Sequence, residues 1–289
     1  MPLIETKKLT HIYGAGTPFE RAAVTDIDFA AEKGGCIGII GATGSGKSTF
    51  VQHLNGLLKP TSGSVFFAGR DIHESKEHTR QTRFKIGLVF QYPEHQLFEA
   101  TVFEDIAFGP KNMGLSGSEV RERAYEAAGF VRLDETLMQK SPFELSGGEK
   151  RRAAIAGVMA MMPEVLILDE PTAGLDPRGR DEIIHNIMGY KKAVDATLIM
   201  VTHNMDEIVR SVERTVLFSN GGIVMEGTPA EVFSDENRLH ELGLAAPKMT
   251  MVAARLRALG LPVRGDVLTV AQLRDALVKL REDRRKREA

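Results

Sequence analysis

The stretch GATGSGKST, residues 41–49, closes an apolar run at residues 36–40 and leads directly into the helical pattern TFVQHLNGLL. It matches G-x-x-x-x-G-K-[ST] between a strand and a helix, the context that gives the motif its meaning. Gly41, Gly44 and Gly46 let the backbone curl, so that N–H groups along Gly41, Ala42, Thr43, Gly44, Ser45 and Gly46 point inward at phosphate oxygens. The following helix aims its positive end at the same place. Lys47 adds a full charge for the β and γ phosphates, Ser48 can place its hydroxyl on Mg2+, and Thr49 completes the motif. A chain built around this turn is expected to be an α/β nucleotide-binding protein.

The rest of the sequence supports a sheet on which to mount that turn. Short β-rich runs recur at residues 3–9, 24–29, 36–40, 65–67, 86–90, 165–168, 198–201 and 216–218. Several are continuously apolar, as in strands covered on both faces. With helical patterns between the later runs, a mixed sheet with a parallel centre is expected, the earliest strands forming an antiparallel flap. Residues 92–162 carry little strand character and include Ser116-x-x-Glu119, a capping-box spacing, so they read as an inserted helical subdomain. After Gly227-Thr228-Pro229 the composition shifts to short helices broken by Pro247 and Pro262. The expected division is a main domain over 1–229 and a small helical domain over 230–289. The final REDRRKREA reads as a solvated, frayed helix end.

Composition narrows the classes of partner. The 37 lysines and arginines nearly balance 39 aspartates and glutamates, so no global field favours nucleic acid or an anionic membrane. The start MPLIETKKLT lacks a signal-peptide pattern, and no stretch approaches the ~18 apolar residues needed to cross a bilayer. The expected location is cytoplasmic, with membrane contact only through another protein. Cys36, the single cysteine, reads as a small buried hydrophobe.

LILDEP, residues 166–171, ends an apolar strand in two carboxylates, a costly arrangement unless they bind something at the sheet's carboxyl edge. Asp169 is placed to reach Mg2+, and Glu170 to polarise the water that attacks the γ-phosphate. LSGGEKRR, residues 145–152, is a bare helix start: glycines remove side chains that would block an anion, and Ser146 can serve as N-cap and phosphate donor. It is a second phosphate-binding surface, for which a single chain with one cradle has no evident use.

The two surfaces make sense together if ATP on one chain is covered by the LSGGE helix of another. Here the sequence resembles the ATP-binding-cassette ATPases, over residues 3 to 233, with several motifs in the expected order. The resemblance implies that Tyr13 stacks on adenine, that Gln91 senses Mg2+ and the attacking water, and that Ser146, Gly147, Gly148 and Glu149 form the signature. It also implies that GLDP, residues 174–177 with Asp176, crosses the dimer seam, and that His203 touches the γ-phosphate. Lys47, Gln91, Glu170 and His203 are then the catalytic set, with Ser48, Gln91 and Asp169 toward the metal. Glu149 departs from the usual glutamine; its spacing from Ser146 suits a capping box, and Lys150, Arg151 and Arg152 are expected to offset its charge near a phosphate.

Residues 91–114 (QYPEHQLFEATVFEDIAFGPKNMG), 16–27 and 146–177 look most like the energy-coupling factor transporter ATPases, and YGAGTPFE at residues 13–20 like the second of their two ATPase types. That resemblance implies a peripheral subunit on the cytoplasmic side of the cell membrane. It would power micronutrient uptake through a membrane T component and a vitamin- or metal-binding S component, paired with an identical or a different ATPase. Over residues 92–108, Glu94, Glu99 and Glu104 beside Leu97 and Phe98 are expected to form a groove for an arginine-bearing helix. A conventional importer ATPase and, further off, a soluble ATPase outside transport stay open as alternatives.

Overall fold

The computed structural model describes residues 1–288. In chain order the elements are β1 Ile4–Tyr13, β2 Arg21–Ala31, β3 Cys36–Gly41, α1 Lys47–Leu54, β4 Ser62–Phe67, β5 Arg70–Asp71, α2 Lys76–Lys85 and β6 Ile86–Val89. A helical stretch follows with α3 Val102–Asn112, α4 Gly117–Phe130 and α5 Gly147–Met159, then β7 Val165–Asp169, α6 Pro177–Val194, β8 Thr197–Val201, α7 Met205–Ser211, β9 Arg214–Ser219 and β10 Gly222–Gly227. The chain ends with α8 Pro229–Val232, α9 Glu236–Glu241, α10 Lys248–Ala258 and α11 Val270–Glu288.

Two sheets form. An antiparallel one runs β2-β1-β4-β5, and a six-stranded one runs β10-β9-β3-β8-β7-β6, parallel except for the β9–β10 hairpin. Alternation along the central strands explains why they are apolar throughout. Cys36 and Ile40, Leu166 and Leu168, Leu198 and Met200 face a core beneath the helices. Ile37 and Ile39, Val165 and Ile167, Ile199 and Val201 face a second core shared with the flap and α1. Cys36 lies in the first core, where its thiol donates to Ser211 O at 2.8 Å and burial pushes its pKa up to about 12.

Between β6 and β7 every regular element is helical, and Ser116 and Glu119 close the capping box. The strands at Arg70–Asp71 and Gly222–Gly227 escaped sequence reading because one is two residues long and the other is polar and glycine-flanked. Thr228 caps α8 through a box with Glu231. Beyond it, Val232, Phe233 and Leu239 are buried in the main core, whereas Ala253, Val263, Val267 and Leu273 make a separate small cluster. The last helix spans 19 residues rather than a short piece, carried by a charged sequence without proline or glycine.

Candidate active site

The parallel sheet order decides which loops meet. Strands β3, β8, β7 and β6 lie side by side, and their carboxyl ends carry the residue 41–49 turn, His203, Asp169 with Glu170, and Gln91. In an open parallel sheet this edge is where ligands sit. Asp169 pairs with Val201 in register, and the Glu170 N–H donates to Val201 O at 2.9 Å, so the carboxylates and His203 leave the sheet at one level.

The turn's glycines are fixed by contact as well as by conformation. A Cβ on Gly41 (φ 152°) would lie 2.3 Å from Phe218 O, and one on Gly46 (φ 103°) 2.4 Å from Ala23 O. Lys47 reaches back into the curve, Nζ donating to Gly41 O at 2.7 Å and Ala42 O at 2.9 Å. Burial lowers its pKa, and the charges of Glu170 and Asp169 pull it back up. A cleft of about 240 Å3 opens on the turn between Gly44, Gly46, Lys47, Ser48, Thr49 and Tyr13. Its other wall is Arg21, Ala22 and Ala23, which open β2 and carry no motif by which sequence reading could find them.

Tyr13 is half exposed, its hydroxyl 3.4 Å from Thr49 Oγ1 and its ring edge-on to His11 at 4.5 Å. Behind it His53 is fully buried: Nδ1 donates to Thr49 O at 2.8 Å, leaving Nε2 to accept from His11 Nδ1 at 3.2 Å. Burial pushes His53 down to about 4, against the pull of the Thr49 carbonyl. Between the ordinary value of 6.5 and about 4, the unfolded chain therefore binds more protons than the folded one. Stability contributed above that window is expected to decline as pH falls through it. His53→Gln should flatten the pH dependence of the urea midpoint between about pH 6.5 and pH 4, and an unchanged slope would dismiss the effect.

Glu170 sits in the left-handed region at φ 54°, a strained conformation for a side chain of this size. His203 Nδ1 approaches its Oε2 to 2.6 Å but out of line for a regular hydrogen bond, so this buried oxygen has no regular partner. Burial raises the Asp169 carboxyl, with the Ser48 hydroxyl working against it. Ser48, Asp169 and Gln91 offer only oxygen donors, the set that a hard cation such as Mg2+ takes alongside substrate phosphates. These residues fit that cation.

The signature stretch lies apart from the cleft: Ser146, Gly147, Gly148 and Glu149 are absent from its lining. Ser146 caps α5, and a Cβ on Gly147 would meet nothing within 4 Å, so the helix start is open. Glu149 accepts from Ser146 N at 2.8 Å and Oγ at 2.6 Å; those bonds hold its carboxyl below the usual range. The Ser146 hydroxyl must leave Glu149 before it can donate to a phosphate. The cationic offset is smaller than the sequence suggested, because Arg151 is buried and forks onto Glu94 at 3.0 and 2.7 Å. Asp176 caps α6 through Gly179 N at 2.7 Å.

The same ion pair corrects the groove. Burial pushes Glu94 up and Arg151 draws it back below the usual range, so Glu94 is not a free carboxylate. In its place stands Asp105, which sequence reading missed although it interrupts the apolar face of α3. Its Oδ1 accepts from Phe98 N and Glu99 N, its Oδ2 is buried without a partner, and burial raises its pKa. Around it Leu97, Phe98, Phe108, Ala153, Gly157 and Met161 line a groove of about 330 Å3.

Residues 24–173 match the ABC transporter family. The energy-coupling factor transporter ATP-binding protein EcfA2 of Caldanaerobacter subterraneus subsp. tengcongensis is 49% identical over 276 residues, 96% of either chain. The chain belongs to the energy-coupling factor transporter ATP-binding proteins. A second member of this ATPase class, EcfA2 of Clostridium perfringens, is 47% identical over 96% of this chain and 98% of its own. Among solved structures, CbiO1 from Clostridium perfringens, part of the ABC transporter complex CbiONQ, is similar at TM-score 0.74 and 36% identity. That match covers 89% of this chain and 98% of the other. The ATP-binding cassette MJ0796, solved as a dimer in a post-hydrolysis state with ADP and Pi, is similar at TM-score 0.71 and 28% identity, covering 78% and 98%. An energy-coupling factor ATP-binding protein is an ATPase that powers transport, and the fold described above is the cassette fold of its class.

Proposed function

We propose that this chain binds MgATP in the cleft at residues 41–49 and hydrolyses it only when the α5 start of a second cassette, identical or related, covers the phosphates. The observation that carries this reading is that the bare Ser146 helix start does not line the cleft on the glycine turn of the same chain. Lys47 and the turn's N–H groups hold the phosphates, Tyr13 takes the base, and Ser48, Asp169 and Gln91 would hold Mg2+. When bound, Mg2+ neutralises charge on the phosphate oxygens. Glu170, strained at a strand end with the buried Oε2 lacking a regular hydrogen bond, orients the attacking water and takes its proton; His203 supports the γ-phosphate side. Separation of the products' charge then favours reopening.

The work is delivered to membrane subunits, a scaffold and a small binder of a vitamin or metal ion, with this chain peripheral on the cytoplasmic face. Among the described residues no helix is long and apolar enough to cross a membrane. The groove around Asp105 receives a short scaffold helix whose arginine pairs with the unpartnered Oδ2. Asp105→Asn keeps the Oδ1 acceptor and removes the charge. It is expected to reduce recovery of the scaffold with the tagged chain by about 10-fold or more, with ATP binding unchanged, since a charged hydrogen bond contributes about 1.5–3 kcal/mol. Mild-detergent extraction reads this directly. Undiminished recovery would dismiss the groove, and co-extraction of a soluble solute receptor instead of a small membrane binder would favour a conventional importer.

A further inference from the structure

Glu207 is a carboxylate the reaction does not use, yet it is buried, 8% exposed, in the first turn of α7. Three donors converge on it from two catalytic loops. Thr172 Oγ1 and Asn204 Nδ2 donate to its Oε1 at 2.8 and 2.9 Å, and Thr202 Oγ1 donates to Oε2 at 3.1 Å. Thr172 stands two residues after Glu170; Thr202 and Asn204 flank His203. Thr202 Oγ1 also accepts from Asn204 N at 3.0 Å, so the turn that presents His203 is closed around this hydroxyl.

We infer that Glu207 is a positioning residue that locks the Glu170 loop to the His203 loop and so sets the geometry in which water is activated. This rests on the roles proposed above for Glu170 and His203. The backbone bond from Glu170 N to Val201 O ties the two loops only at the sheet edge. Past that edge, beyond the His203–Glu170 contact itself, Glu207 joins the loops by hydrogen bonds: without it Thr172 and Asn204 lose a shared acceptor. His203 could then turn away from Glu170 while the cleft of Tyr13 and residues 44–49 is untouched. A buried carboxylate with three donors is satisfied, and its removal strands all three.

The lesion should therefore fall on turnover and spare nucleotide binding. In the full chain with its co-purified subunits, Glu207→Ala is expected to lower kcat about 10- to 100-fold, with KM for ATP and affinity for a fluorescent ATP analogue within about 2-fold. Glu207→Gln should restore kcat to within about 3-fold, because the carboxamide oxygen still serves Thr172 and Asn204 while its NH2 donates to a reoriented Thr202 hydroxyl. If Glu207→Ala does not fold, Thr172→Val, which cuts the tether on one side only, is expected to lower kcat several-fold at unchanged KM. Wild-type kcat in whichever of these variants folds, or a raised KM at unchanged kcat, would overturn the inference. Glu170→Gln measured in parallel separates the two claims. If it is inactive while Glu207→Ala is normal, only the positioning role fails; if it turns over normally, the reading beneath fails as well.

Discussion

Replacing Glu170 by glutamine is expected to lower steady-state ATP turnover by about 100-fold or more, in the range that general base catalysis contributes, while ATP binding persists. The substitution keeps size and one acceptor oxygen but cannot take a proton from water. Because the glycine turn, Lys47 and Ser48 are unaltered, the nucleotide still enters; with hydrolysis blocked, the closed pair of cassettes should accumulate. Phosphate release measures the first effect, and size-exclusion chromatography with and without MgATP measures the second. Turnover within about 3-fold of the unsubstituted chain would take Glu170 out of the mechanism.

The second large effect is on stability. Arg151 is 3% exposed, and besides its fork onto Glu94 it donates to Ala173 O at 2.5 Å and to Pro171 O at 3.5 Å. One guanidinium thus joins the signature helix, the segment after Gln91 and the segment after Glu170. Arg151→Met is expected to destabilise the fold by about 3–5 kcal/mol, because it leaves Glu94 charged, partly buried and alone. Glu94→Gln should cost less, and adding it to Arg151→Met should recover part of the loss. Urea unfolding of the four proteins closes the cycle. A coupling below about 0.5 kcal/mol would mean that the pair is no more than a surface contact.

These two residues mark the limit of what could be read without a structure. Glu170 was legible because its neighbours in sequence are its neighbours in space: an apolar strand delivers it to the sheet edge, as another delivers Lys47. The parallel centre was likewise legible in the continuously apolar runs with helical patterns between them, because strands covered on both faces carry apolar residues throughout. Arg151 was misjudged because its partner lies 57 residues away and its helix neighbours Lys150 and Arg152 are cationic, which suggested a shared surface role. Asp105 and Glu207 look like ordinary helix carboxylates in sequence. Only packing reveals that one keeps an oxygen without a partner and that the other gathers three donors.

The tight seating of Gly41 against Phe218 and of Gly46 against Ala23 has a further consequence. Phe218 belongs to the parallel sheet and Ala23 to the flap, so the turn at residues 41–49 is a seam stitched through both. A nucleotide gripped there pins two layers to each other as well as occupying one of them. Occupancy is thereby expected to stiffen both layers, and an empty chain should loosen first along that seam.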